Sequence, residues 1–202
     1  MTDPQRHPYE DIPLDITGYV LAAVLIAGHL WMLLKPTEAK EFLTKFSRNY
    51  GIGRILMAVS MLWFWLLVTP AYIPNPLSFE LGDFNGAKNI LLVVVPLAAV
   101  LVIKEVREFL AVRALGLFLL MVAAPLLAGA FLEPHPYKNL VSFYSYALII
   151  AGLFFIGMPY LFRDMVKWAT DQASRFRALS IGGLIYGIAV LLCTIVYWGK
   201  EY

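Results

Sequence analysis

The stretch ITGYVLAAVLIAGHLWMLL (16–34), KPTEAKEFLTKFSRNYGIGR (35–54) and ILMAVSMLWFWLLVTPAY (55–72) decides the fold, because a charged link separates two long apolar blocks. A helix of about 20 apolar residues crosses the roughly 30 Å hydrocarbon core of a bilayer, at about 1.5 Å per residue. Each block therefore predicts a membrane-spanning helix. The link predicts a segment that lies at the membrane surface.

Four further apolar blocks follow, near residues 84–104, 114–132, 140–162 and 178–198. The chain has 202 residues and is 60% hydrophobic, whereas soluble domains are about 45–50% apolar. The third block is long enough to span only if Lys88 and Lys104 extend their ammonium groups to the two interfaces. We predict an all-α, polytopic membrane protein of about six spans. It forms a single domain, with an acidic tail at 1–15.

Basic residues are concentrated in alternate connectors. The segments 35–54, 104–113 and 163–177 hold twelve of the sixteen lysines and arginines, and all three lie on one side of a six-span arrangement. The positive-inside rule then places these connectors in the cytoplasm and both termini on the non-cytoplasmic side. The formal net charge is only +2, so charge gives no indication of a nucleic-acid partner.

The three basic connectors are similar to one another. Each contains a short amphipathic stretch: AKEFLTKF at 39–46, VREFLAVR at 106–113 and MVKWATDQ at 165–172. We therefore predict three helical hairpins, each formed by a span, a basic link and a span. A basic residue precedes the second span of each hairpin, and these residues are Arg54, Arg113 and Arg177. They either fix the topology or contact anionic lipid headgroups or a partner protein.

Two of the predicted hairpins resemble the small YjeT-like family of inner-membrane proteins. The similarity lies in LLKPTEAKEFLTKFSRNYGIGRIL at 33–56 and, more loosely, in MPYLFRDMVKWATDQASRFRALSIGG at 158–183. It covers about half of the chain, and the middle hairpin departs from the pattern through its shorter link. The resemblance implies a hairpin architecture and a bacterial inner-membrane location. It implies no chemistry, since that family has no settled function.

Few polar residues lie at membrane depth, where an ionisable group suggests a functional site. His29 is the one histidine in a span, so a bis-histidine haem site lacks its second ligand, and we predict no cofactor and no metal. The candidate lining of a ligand cavity is His29, Ser60 and Thr69. The alternative for His29 is a hydrogen bond to a neighbouring carbonyl. A catalytic constellation such as GxSxG or HExxH is absent from the sequence, so an enzyme ranks last.

Small residues at helical spacing predict close helix contacts in the last two spans. The candidate packing residues are Gly152, Gly182, Gly183 and Gly187. Their partner is another span of this chain or another subunit, including a second copy. Three prolines also fall in predicted spans, where each predicts a kink or a broken helix. These prolines are Pro96, Pro125 and Pro159.

Two functional hypotheses from different classes remain. The first is a non-catalytic integral membrane subunit or scaffold of a larger complex, in contact with the lipid bilayer and other membrane subunits. The second is a small transporter, channel, or quinone- or small-ligand-binding membrane protein. A continuous polar groove that reaches His29 favours the second hypothesis. Dry packing with an exposed apolar face favours the first.

Overall fold

The computed structural model describes residue 9 and residues 11–70, 72–106, 108–131 and 133–199. Within these ranges six helices are long and apolar enough to cross a membrane, which confirms the predicted all-α, multi-pass fold. The spans are α1 (Leu14–Leu34), α3 (Tyr50–Leu67), α4 (Lys88–Glu105), α5 (Leu110–Ala130), α6 (Asn139–Gly157) and α8 (Ala173–Cys193). Most of the acidic tail at 1–15, and the predicted end of the fourth span at residue 132, lie outside the described residues.

Two amphipathic helices form the first and third links: α2 (Pro36–Phe46) and α7 (Tyr160–Asp171). Proline suits the first turn of α2, because the N–H that it lacks has no partner inside a helix there. The second link is only a turn between α4 and α5, and Phe109 adopts a left-handed φ of 56°. The second half of the amphipathic stretch at 106–113 belongs to α5, which begins at Leu110.

Local sequence signals explain where the second and fifth spans differ from their predicted bounds. The second span begins at Tyr50 because the side chain of Asn49 caps it, accepting the N–H of Ile52 at 3.0 Å. The fifth span ends at Gly157, and Pro159 lies at the start of α7. Proline disfavours helical backbone at the residue before it, so the helix stops there. Pro159 thus separates two helices instead of kinking one.

The main core lies among α1, α5, α6 and α8. Its most buried side chains include Leu21 and Leu25 of α1, Leu126 of α5, Val141 of α6 and Val190 of α8. A smaller apolar cluster joins α3 to α5, and α4 packs on α3. The bundle is therefore a four-helix core with α3 and α4 added as an outer arm.

The helices that pack most closely are not the ones that the basic links join. The closest pairs are α5 with α6, α1 with α8, and α3 with α5, whereas the two spans of each predicted hairpin share far fewer contacts. Helices α5 and α6 are joined by a connector at the end of the bundle away from α2 and α7, and so are the neighbours α3 and α4. We call the end of the bundle that carries α2, α7 and the turn at 108–109 the basic end.

Candidate functional site

His29 lies in the contact between α1 and α8, half-buried. Its Nδ1 is 2.8 Å from the carbonyl oxygen of Leu25, one turn earlier. A carbonyl oxygen only accepts, so Nδ1 is the donor in this bond. The imidazole rests on Gly183, where an added Cβ would overlap the ring. The structure therefore brings two candidate residues, His29 and Gly183, into one helix contact.

Ser60 and Thr69 lie progressively farther than His29 from the basic end of the bundle. Ser60 is fully buried in α3, and its hydroxyl donates to the Leu56 carbonyl at 2.8 Å. His29 is five residues from the basic end of its helix and Ser60 is ten, which correspond to about 8 Å and 15 Å. Thr69 lies beyond the last turn of α3. The three predicted lining residues thus occupy three depths and do not form one site.

Thr69 belongs instead to a polar cluster that caps the C-terminal end of α3. Asn75 Nδ2 donates to the Leu66 carbonyl at 2.5 Å and to Thr69 Oγ1 at 2.7 Å. Ser78 Oγ donates to the Thr69 carbonyl at 2.6 Å. The proline-rich connector therefore satisfies the helix-end carbonyls that have no intrahelical partner.

Lys88 completes this cap. Its side chain is only 5% exposed, and Nζ lies 3.3 Å from the Thr69 carbonyl and 3.4 Å from Ser78 Oγ. The Lys88 ammonium therefore lies at the outer end of α3, bonded to protein atoms and almost fully buried. A cation is favourable at the negative end of the α3 dipole, which explains why the ammonium folds back there.

The three candidate arginines are all exposed at the basic end. Arg54 lies in the second turn of α3, with its guanidinium carbon 5.7 Å from the centroid of the Tyr50 ring. Arg113 lies in the first turn of α5 and Arg177 in the first turns of α8. All three remain accessible to headgroups or to a partner. Arg54 differs from the others because the ring holds its charge in place.

Helices α2 and α7 pack against each other at the same end. Lys40 Nζ donates to the Thr170 carbonyl at 3.2 Å and lies 5.2 Å from the centroid of the Phe176 ring. The Phe46 and Phe162 rings are 5.4 Å apart. The first and third links therefore form one surface layer. On α7, Met165 and Trp168 remain more than half exposed, as expected for a helix in the interface plane.

The candidate glycines occupy different environments. At Gly187 an added Cβ would meet Leu25 and Ile26 of α1, and at Gly152 it would meet the Gly116 carbonyl of α5. At Gly182 it would meet nothing within 4 Å. Sequence reasoning missed Gly53, just before the second apolar block, and Gly116, at the start of the fourth. Gly53 allows α3 to approach the backbone of α5 at Ala111.

A compensating hydrogen bond joins α3 to α4, and sequence reasoning did not find it. Pro96 lies inside α4 and has no N–H to offer the carbonyl of Leu92, four residues earlier. Trp65 Nε1 of α3 donates to that carbonyl at 2.9 Å. The tryptophan therefore satisfies the acceptor that the proline leaves free, as neighbouring helices do in membranes.

Polar groups inside the described part of the bundle are satisfied internally. No buried side-chain nitrogen or oxygen there lacks a hydrogen-bond partner. The described residues also contain no group of three or more His, Cys, Asp or Glu side chains that could hold a metal ion. The buried polar side chains in the described part of the bundle are therefore bonded to protein atoms.

Comparison with known proteins gives no relative from which a role can be transferred. No protein-family model matches the chain, and no curated protein and no solved structure matches it at a significant level. The resemblance of residues 33–56 and 158–183 to the YjeT-like family therefore stays a prediction.

Proposed function

We propose that this chain is a non-catalytic integral membrane subunit that holds a partner membrane protein through α4. One observation carries this proposal. Only 11% of the most apolar stretch of this span is buried inside the bundle, against 22–39% in the other five spans. Its main helical neighbour in the described structure is α3. A span with one main helical neighbour in the described structure offers most of its circumference to another helix.

The exposed face of α4 has the pattern of a packing ridge. Ile90, Val93, Leu97 and Leu101 are each more than half exposed and recur at intervals of three or four residues, so they lie along one side of the helix. Membrane helices associate by van der Waals packing, for which a regular ridge of aliphatic side chains is suited. The partner would be another membrane subunit or a second copy of this chain.

The ligand-cavity hypothesis has weaker support. His29, Ser60 and Thr69 lie at different depths, and each hydrogen-bonds to backbone within its own element or its cap. The positive-inside rule supports placing the basic end in the cytoplasm, with both termini on the other side of a bacterial inner membrane. The +2 charge and the membrane fold give no support for a nucleic-acid partner.

The test is site-specific photocrosslinking in native membranes, followed by extraction in mild detergent and mass spectrometry. The photoreactive residue replaces Leu97 on the α4 ridge. A matched control carries it at Ile185 on α8, which is also more than half exposed. We expect a defined protein adduct from position 97 and none from position 185. A chain that purifies alone, with no protein adduct from either position, refutes the subunit proposal.

A further inference from the structure

Beside the α4 ridge, a groove runs between α3 and α4. One part, of about 360 Å³, is lined almost wholly by apolar atoms, with Pro96 at the middle of α4 and Trp65 near the C-terminal end of α3. A second part, of about 430 Å³, lies next to it toward the basic end, beside Arg54. Both parts are lined by Ala58 and Ile103, so they form one continuous feature. We call it the α3–α4 groove.

Small side chains open this groove. Ala58 of α3 and Ala99 of α4 face it, between the larger Met61 and Ile103. The Trp65 side chain spans the two helices through its bond to the Leu92 carbonyl, so the groove wall is fixed at that level. The groove therefore belongs to the packed structure of the arm.

The groove has an apolar part and, next to it, a cationic mouth. Arg54 lines the mouth and is held over the Tyr50 ring, and Tyr50 itself donates a hydrogen bond to the Ile103 carbonyl at 2.6 Å. Lys104 follows Ile103 and is exposed, as is its acidic neighbour Glu105. Because α3 begins at Tyr50, the positive end of its dipole also lies at the mouth, where it favours an anion.

The dimensions fit a hydrocarbon chain. From Gly51 to Trp65 the groove follows fourteen residues of α3, or about 21 Å, which exceeds half of a roughly 30 Å hydrocarbon core. Between Ala58 and Trp65, a volume of about 360 Å³ over about 10 Å gives a cross-section of about 36 Å². A groove of this width accommodates an extended acyl chain.

We propose that the α3–α4 groove binds one anionic phospholipid, with an acyl chain along Ala58 and Pro96 and its phosphate at Arg54. The guanidinium donates to the phosphate oxygens in a charge-assisted pair, and the apolar walls exclude water from the chain. The site distinguishes Arg54 from Arg113 and Arg177, which are exposed at the same end. It does not depend on the subunit proposal, because the α4 ridge and the groove are different faces.

The experiment uses the full-length chain in mild detergent with mixed micelles of phosphatidylglycerol and phosphatidylcholine. Native mass spectrometry counts the lipids retained. We expect the wild type to retain one phosphatidylglycerol in preference to phosphatidylcholine, and Arg54→Gln to weaken that retention about fivefold. Arg113→Gln is the matched control and should leave retention unchanged. Ala58→Leu narrows the groove where its two parts meet and should reduce retention of both lipids.

Three outcomes overturn the proposal. Equal losses in Arg54→Gln and Arg113→Gln would show general surface electrostatics. Equal retention of the two lipids by the wild type would show an apolar groove that does not recognise charge. A protein segment crosslinked to Ala58 in native membranes, with no retained lipid, would show that a polypeptide occupies the groove. Arg54 and Ala58 are both exposed, so these variants should melt like the wild type.

Discussion

Replacing Trp65 by phenylalanine tests whether the bond across the outer arm compensates for Pro96. The substitution keeps an aromatic ring between α3 and α4 but removes the Nε1 donor that lies 2.9 Å from the Leu92 carbonyl. The carbonyl then has neither an intrahelical nor an interhelical donor. An unsatisfied buried acceptor costs about 1–3 kcal/mol, and interhelical bonds in membranes average about 0.6 kcal/mol with a maximum near 1.7. We therefore expect a loss of about 1–2 kcal/mol.

The assay is reversible unfolding in mixed micelles of increasing SDS fraction, followed by circular dichroism at constant lipid content. A double-mutant cycle isolates the bond. In a Pro96→Ala background the new N–H of residue 96 can donate to Leu92, so Trp65→Phe should lose much less stability there. An equal loss in both backgrounds refutes the reasoning, because it would show that Trp65 acts through ring packing alone.

Three further predictions concern the rest of the bundle. Gly183→Val should destabilise the protein by about 1–3 kcal/mol, because its side chain would displace the α1 histidine ring, whereas Gly182→Val should unfold like the wild type. Lys88→Met should lower stability by about 1–2 kcal/mol in the same assay, since the α3 cap loses its cation; an unchanged midpoint would contradict this role. A hydrogen bond and the charge of Lys45 lower the pKa of Glu41, so this pair contributes stability above the ordinary carboxyl pKa and loses it as pH falls through the lowered value. Carboxyl NMR titration should show that Lys45→Gln raises the pKa of Glu41; an unchanged value would exclude the pairing.

The number and order of the spans could be predicted because hydropathy and charge vary strongly along the chain. The length of an apolar block is set by bilayer thickness, and the amphipathic period of the first and third links identifies α2 and α7. The predicted ends of the spans were less accurate. The Asn49 cap adds apolar and basic residues to the start of α3, and Pro159 ends α6 before its apolar run is finished.

The packing partners could not be predicted in the same way. A membrane span is apolar on the side that meets lipid and on the side that meets protein, so periodicity does not mark the contact face. Gly182 and Gly183 are adjacent and chemically identical, yet only Gly183 lies under a neighbouring side chain. For the same reason His29, Ser60 and Thr69 do not come together in one site. Residue type does not fix the depth of a side chain in the bundle or the direction in which it points.

The contact between α1 and α8 has a consequence for biosynthesis. Helix α1 leaves the ribosome before α8, the helix with which it makes its most extensive contact, and 139 positions separate Leu34 from Ala173. At about 5–20 residues per second, the translating ribosome needs on the order of ten seconds to deliver that neighbour. During this interval the imidazole of His29 and the Leu25 surface face the insertion machinery or lipid. Nascent chains stalled before α8 should therefore be recognised by membrane quality control as unfinished.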